Sequence, residues 1–505
     1  MLENKKTYMA DSSLLPKILL PKGNESRNGF SKLFTSKPEK WWLKEGEKSA
    51  LKLFHEVSKR VPAYKKFLKS NGVRPENIKS IDDFSRLPET NKKNYIHKYP
   101  LNERLWDGKM SGQAIIAASS GTTGSPTLWP RGMYQEAEAA QVHEQIFVDL
   151  YGIDKCKTLA IIGFPMGVYV SGVATALPSF ITALKHSNLS VVTAGNNKES
   201  VLNVLSSLSS EFEQIILIGH PFFIKDVAES AQEKGIDWSK IKTKCFFVSE
   251  GFSEEWRKYV AKVLHVDARR DLLSFYGSSE LLLMAYENPE TVRVKSAVEV
   301  NASLQSKIGI TSSQIGVFQN NPVLRYIESN QNHELLFTAR SGVPLIRYNL
   351  KDFGSVITRT DLAKDFSLKM EGWKAWNLPY IFLGGRSDYA VVFYAANIYP
   401  ENIHSALNKS RFLHSVTGKF AMEKVYSENM EQKLKVYIEL RQGQAIEENL
   451  RNSITQELVI ELESTNMEYN FLRHNLERDL IPLVELELYQ STSHFAPGLK
   501  PKYLL

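Results

Sequence analysis

Cysteine is almost missing from this chain: its 505 residues include two, Cys156 and Cys245. Two widely separated thiols cannot form a disulfide framework and lack the close spacing of a zinc site. A reducing compartment, the cytoplasm, is therefore expected. No run of about 18 apolar residues occurs, so no membrane-spanning helix and no membrane insertion are expected. The first residues have neither a continuous apolar segment nor a small-residue cleavage site, so a secretory leader is not expected. There is no concentrated basic tract. Lys and Arg number 63 against 56 Asp and Glu, a net charge of +7, and the two signs are interspersed. That pattern describes a solvated, slightly basic surface and gives no support to nucleic-acid binding. Internal repeats and low-complexity tracts are absent as well.

What remains is an ordinary globular composition, 43% hydrophobic and 24% charged, in a chain too long for one core. Ser119-Ser120-Gly121-Thr122-Thr123-Gly124-Ser125-Pro126-Thr127 follows an apolar run at 114–118 that reads as a strand. Its glycines free the backbone to bring amide N–H groups to a ligand, and its hydroxyls suit an anion with several oxygens. No lysine follows the second glycine, which excludes the usual P-loop. Downstream, short apolar runs at 159–162, 215–218, 245–248 and 272–276 read as strands. Helical patterns at 133–148, 221–234 and 253–263 accompany them. Continuous apolar strands alternating with helices predict an α/β fold with mostly parallel sheets flanked by helices.

Candidate functional residues sit where these strands end, as expected for open α/β sheets. They include Phe164 and Tyr169 in an aromatic and glycine-rich loop, His220 and Pro221 after another strand, and Glu250 in Ser249-Glu250-Gly251. Tyr276-Gly277-Ser278-Ser279-Glu280 closes a further strand. A tyrosine there offers a flat face to a purine, and a carboxylate suits a hard cation such as Mg²⁺ carried on phosphates. Asp352, after a strand, can accept hydrogen bonds from ribose hydroxyls. Gly384-Gly385-Arg386-Ser387-Asp388 has the composition of a hinge. Beyond it, Leu434, Val436, Ile438 and Leu440 alternate as a strand. Ile446, Leu450, Ile454 and Leu458 mark a helix, and 486–489 reads as another strand, together a small α+β domain.

Taken together and in order, these strings resemble the adenylate-forming superfamily. The Pro126-Thr127 ending of the first loop is most similar to its phenylacetate–CoA ligase branch, as are Pro62-Ala63-Tyr64 and Leu87-Pro88-Glu89-Thr90. The resemblance implies an N-terminal extension at 1–44, an adenylation domain at 45–384 and a small mobile lid domain at 385–505. It implies ATP held on Ser119, Ser120, Gly121, Thr122, Thr123 and Gly124. Glu250, Tyr276, Gly277, Ser278 and Ser279 would lie around the nucleotide, with Asp352 and Arg386 on ribose and Glu280 on Mg²⁺. Phe164, Tyr169, His220 and Pro221 would line the acid pocket, and Asp388 would be the hinge. Catalytic roles would fall to Lys500, Glu280 and Thr123, with Lys502 the other candidate for the terminal lysine. A small carboxylic acid, aromatic or otherwise apolar, would be activated as an acyl-adenylate and passed to an acceptor, first of all CoA thiol. A homodimer is compatible with this picture.

One stretch departs from the family pattern. Phe393-Tyr394-Ala395-Ala396 stands where the family has a glycine segment along the pantetheine channel. Tyr389 replaces its second aspartate, and Tyr503 stands near where an arginine is common. These departures keep open acyl transfer to an amine, or nucleotidyl transfer to a coenzyme. A catalytically inactive nucleotide-binding protein is the remaining alternative.

Overall fold

The computed structural model describes residues 29–119, 127–310, 315–366, 376–386, 390–412, 414–476, 479–490 and 494–495. Two compact units divide the chain, changing over in sequence at Gly385 and Arg386; the short stretches 119–127 and 220–223 group with the second unit.

The first unit begins with helices. Gly29–Ser36 and Glu39–Arg60 are helical, so regular structure starts well before the expected end of the extension at residue 44. Trp42 is fully buried. Phe54, Val57, Val61 and Tyr64 share one core, as their spacing suggests, but they do not share one helix. Pro62 has no backbone N–H to continue the ladder, so Val61 turns extended and Pro62–Ser70 starts afresh.

A two-stranded hairpin follows, β1 (Gln113–Ser119) with β2 (Thr127–Gly132). The eleven-stranded sheet comprises β3 (Thr158–Gly163), β4 (Leu189–Thr193), β5 (Gln214–Gly219), β6 (Lys242–Val248), β7 (Leu272–Ser278), β8 (Leu282–Tyr286), β9 (Gly316–Gln319), β10 (Arg325–Ser329), β11 (Glu334–Ala339), β12 (Leu345–Ile357) and β13 (Tyr380–Arg386). Its order is β10-β11-β12-β13-β9-β8-β7-β6-β5-β3-β4. The five strands β4-β3-β5-β6-β7 are parallel. Helices Val170–Lys185, Lys198–Leu208, Pro221–Glu233 and Glu254–Leu264 connect them. From β8 onward the resolved pairings are antiparallel. The sheet is thus mixed: parallel where helical crossovers intervene, and antiparallel where connections as short as 279–281 can only reverse the chain.

The parallel half defines an edge. After β3 the chain moves outward to β4, then returns to place β5 on the other side of β3. The carboxyl ends of β3 and β5, paired at Gly163 and Gly219, therefore flank a topological switch point.

Behind this sheet, His143 on the helix Met133–Asp149 is buried against Phe246, with 5.9 Å between ring centroids. Its Nδ1–H donates to the Ala139 carbonyl at 2.9 Å. Burial pushes the imidazole down to about 4, against a weaker opposing pull from that bond. The unfolded chain takes up this proton near pH 6.5, the folded chain only near pH 4. The contribution is therefore present in full above 6.5 and lost as pH falls toward 4, by on the order of 3 kcal/mol. His143→Phe is expected to flatten the loss of unfolding free energy between pH 7 and pH 4.5. An unchanged slope would assign that acid sensitivity to other groups.

The second unit holds a hairpin, β14 (Val391–Phe393) with β15 (Ala396–Ile398), and a three-stranded sheet of β16 (Val416–Tyr426), β17 (Gln432–Leu440) and β18 (Leu483–Glu487). Leu434, Val436, Ile438 and Leu440 of β17 are fully buried, as their alternation predicts. The helix is Glu448–Thr465, and its buried stripe runs Ile454, Leu458, Leu462. Ile446 lies before it and is exposed, so the stripe is shifted one turn from the expected one. The last strand likewise lies a few residues earlier than 486–489.

Candidate nucleotide site on the first unit

Several of the residues singled out in sequence fall on loops at one edge of the parallel strands. Phe164 follows β3, Glu250 follows β6, and Glu280 sits in the turn after β7. Register explains the convergence: parallel neighbours end together, so successive βα loops share a rim.

The loop after β3 is drawn toward the first hairpin. Ala118 N–H donates to Val168 O at 2.8 Å, and Ala118 and Tyr169 form a parallel bridge. Phe164 itself is buried in the core, whereas Tyr169 is half-buried. Gly172, in the next helix, makes this packing feasible. A Cβ there would lie 2.2 Å from the Pro165 carbonyl oxygen. Of the loop between β1 and β2, Ser119 is described. It is buried, and its hydroxyl donates to Thr127 O at 3.4 Å. Ser120, Gly121, Thr122, Thr123, Gly124, Asp388, Tyr389, Lys500, Lys502 and Tyr503 lie outside the described residues. Arg386 is described by its backbone, which closes β13. His220, half-buried, and Pro221, buried, follow β5.

Tyr276 and Asp352, to which sequence reasoning gave separate roles, are brought together. The Tyr276 hydroxyl donates to Asp352 Oδ2. The tyrosine ring is buried and stacks on Phe318 at 5.8 Å between centroids, so one of its faces is covered. Asp352 is half-buried on β12, just after Lys351, whose φ of +69° kinks the strand. That kink is braced by Asn349, whose Oδ1 accepts from Lys351 N–H at 2.7 Å. Gly277 lies on the same strand, where a Cβ would lie 3.0 Å from Leu282 O. Ser278 Oγ accepts from Leu281 N–H at 3.3 Å, tightening the turn that carries Ser279 and Glu280.

Glu280 is 5% exposed, and Lys92 Nζ stands 3.6 Å from its Oε1. Lys92 was missed in sequence. It lies two residues past Leu87-Pro88-Glu89-Thr90, a string that entered the sequence reading only as part of the family resemblance. The string packs on β12: Thr90 forms a bridge with Tyr348, and its hydroxyl donates to Ile346 O at 2.8 Å. Through Thr90 and Lys92 this segment touches both the strand bearing Asp352 and the turn bearing Glu280. Among the described residues there is no group of three or more His, Cys, Asp or Glu able to hold a metal. A single buried carboxylate suits Mg²⁺ that arrives on phosphate oxygens and keeps its waters, not an all-protein cage.

A second cluster lies beneath the rim. Arg257, fully buried, makes a two-pronged contact with Glu287 at 2.9 and 2.7 Å and reaches Glu254 at 2.9 Å. Burial alone would lower the guanidinium pKa, but the Glu287 and Glu254 carboxylates outweigh it and hold the pKa raised. Burial likewise works against the Glu254 carboxylate, and Arg257 and Lys295 overcome it, so Glu254 is held below its ordinary range.

No family model matches the chain. Among solved structures, a 2-hydroxyisobutyryl-CoA ligase in complex with 2-HIB-AMP and CoA superposes with a TM-score of 0.65 at 16% identity, over 96% of this chain and 93% of that one. The fold is that of the adenylate-forming ligases. Sequence relatives are phenylacetate–CoA ligases. A phenylacetate–coenzyme A ligase of Pseudomonas putida is 22% identical over 79% of this chain and 82% of its own length. One from Aromatoleum evansii is 21% identical over 69% and 71%. A third, from Thermus thermophilus, is 38% identical over 72 residues, 14% of this chain and 16% of its own. In sequence the chain is similar to phenylacetate–CoA ligases, and in fold to adenylate-forming CoA ligases.

Proposed function

We propose that the chain activates a small carboxylic acid with MgATP, releasing pyrophosphate and forming an acyl-adenylate, and passes the acyl group to CoA. The observation that carries this reading is the pairing of Tyr276 with Asp352 and of Lys92 with Glu280, the tyrosine and the glutamate lying four residues apart where β7 ends. Asp352 would take the ribose hydroxyls, and the Tyr276 hydroxyl fixes its carboxylate. Glu280 would hold Mg²⁺ on the phosphates, with Lys92 beside it. In the activation step the acid carboxylate attacks the α-phosphorus, one P–O bond forms and the bond to the pyrophosphate leaving group breaks. Lys500 would meet the charge that develops, as electrostatic catalysis at such centres requires. Asp388 would be the pivot for the change between the two half-reactions. Phe164 is packed away in the core, but the half-buried Tyr169 and the exposed Met166 and Val168 of the same loop favour an aromatic or otherwise apolar acid.

A second acceptor reading draws support from the β14–β15 turn. Its two residues, Tyr394 and Ala395, have φ of +47° and +70°. A two-residue hairpin turn of this hand favours glycine or asparagine. Each L side chain there costs about 1–2 kcal/mol. Tyr394 is nonetheless held: it is buried, and its N–H donates to Gln432 Oε1 at 2.6 Å. A strained, buried tyrosine where the family resemblance implies glycine favours an acceptor other than the pantetheine arm, an amine or a coenzyme nucleophile.

Pyrophosphate release across aromatic, fatty and amino acids, with and without CoA, tests both. Acid-dependent release that rises with CoA supports the thiol reading. Acid-dependent release indifferent to CoA, converted to CoA dependence by Tyr394→Gly, supports the second. Absence of release with every acid would contradict the enzyme reading itself. In that case bound ATP would leave a nucleotide-binding protein.

A further inference from the structure

Beneath the nucleotide rim the protein buries an ammonium group that the reaction does not use. Lys295, on the helix Pro289–Glu299, is 2% exposed. Its Nζ donates to the carbonyl of Phe252 at 2.5 Å and lies 3.3 Å from Glu254 Oε1. The same ammonium stands 4.7 Å from the centre of the Phe252 ring, and the Arg257 guanidinium stands 4.8 Å from it. Phe252 is thus gripped through both its backbone and its side chain. Desolvating an ammonium is costly, and here the Phe252 carbonyl and the Glu254 and Glu299 carboxylates, the latter at 3.8 Å, offset that cost. A lysine here therefore points to a task beyond filling volume.

The grip falls on the loop at the carboxyl end of β6, which carries Glu250. Ser249 opens that loop at φ +88°, a conformation that favours glycine. Such a residue persists where its surroundings over-determine the backbone, and such sites cluster at ligand clamps. Here the over-determination has an address: Ser249 is fixed by β6 on one side and, three residues on, by Lys295 on Phe252.

We propose that Lys295 is a positioning residue for the nucleotide, holding the loop 249–252 in its binding conformation from below. The inference rests on the reading of this edge as a nucleotide site. Preorganising a loop removes an ordering cost from binding, so losing it weakens affinity without altering the reacting atoms.

The test is direct titration of ATP and of AMP into the full-length protein, with steady-state kinetics beside it. Lys295→Met is expected to raise both nucleotide dissociation constants and the KM for ATP about tenfold, a difference of 1.4 kcal/mol. The kcat and the KM for the acid should stay near wild type, and Lys295→Arg should restore most of the affinity. If Lys295→Met does not fold, Phe252→Leu serves instead: it keeps an apolar side chain but removes the ring that the Lys295 ammonium and Arg257 guanidinium face. It should weaken nucleotide binding in the same direction, wild-type affinity in that variant overturning the proposal. Wild-type nucleotide affinity in folded Lys295→Met overturns the proposal, as does an equal loss of acid and nucleotide affinity. Wild-type protein that binds neither nucleotide overturns the underlying site reading instead.

Discussion

Glu280→Gln is expected to slow acid-dependent pyrophosphate release by roughly 10²–10³-fold, the scale seen when one preorganised electrostatic contact to a reacting centre is removed. The amide keeps the shape and loses the charge. Lys92 at 3.6 Å is 45% exposed, so it can turn to solvent and leave little unpaired charge behind. Stability should change by less than about 1 kcal/mol, because the amide removes a buried charge and the lysine left behind is solvated. The distinguishing measurement is a Mg²⁺ titration of the residual activity. If Glu280 acts through the metal, the variant needs more Mg²⁺ to reach its maximum rate. An unchanged rate with an unchanged Mg²⁺ requirement would remove Glu280 from the chemistry.

Arg257→Met carries the largest expected loss of stability, about 3–5 kcal/mol, because it leaves carboxylates buried without their counter-charge. Glu287 is itself fully buried and retains one donor, Ser274 N–H at 2.7 Å. The arginine also donates to the Leu272 carbonyl on β7, so its loss reaches the strand that carries Tyr276. Chemical unfolding of the variant measures the cost. The double variant Arg257→Met with Glu287→Met should recover a substantial part, since removing both charges removes the desolvation problem that the single change exposes. A single variant that costs less than about 1 kcal/mol, or a double variant no better than the single, would show that this pair does not carry the region. The effect is distinct from that expected at Lys295, which should appear in nucleotide affinity.

Much of the parallel half was legible because its strands are short, apolar and separated by periodic helices. The runs at 159–162, 215–218, 245–248 and 272–276 lie within β3, β5, β6 and β7. The predicted start near residue 253 is a capped helix, with Ser253 Oγ accepting from Trp256 N–H at 3.2 Å. Less legible were β4 and the strands from β8 to β10. β4 is partly exposed and lacks a continuous buried run. β8 and β10 sit in hairpins with β7 and β11, β9 pairs with β8 and β13 across long connections, and polar members such as Gln319 and Arg325 are buried in hydrogen bonds. Composition reads those residues as surface.

The sequence by itself determined which chemistry this protein can carry: a hydroxyl- and glycine-rich loop, a tyrosine and a carboxylate closing one strand, and an aspartate on another. Those are properties of residue type and local spacing. Tertiary structure alone decided which of them act together. Tyr276 meets Asp352 across 76 positions, Lys92 reaches Glu280 from a segment with no chemistry of its own, and Lys295 grips Phe252 from a helix 43 positions on. No local pattern encodes those pairs. They follow from strand order and crossover, which place carboxyl ends side by side regardless of distance along the chain.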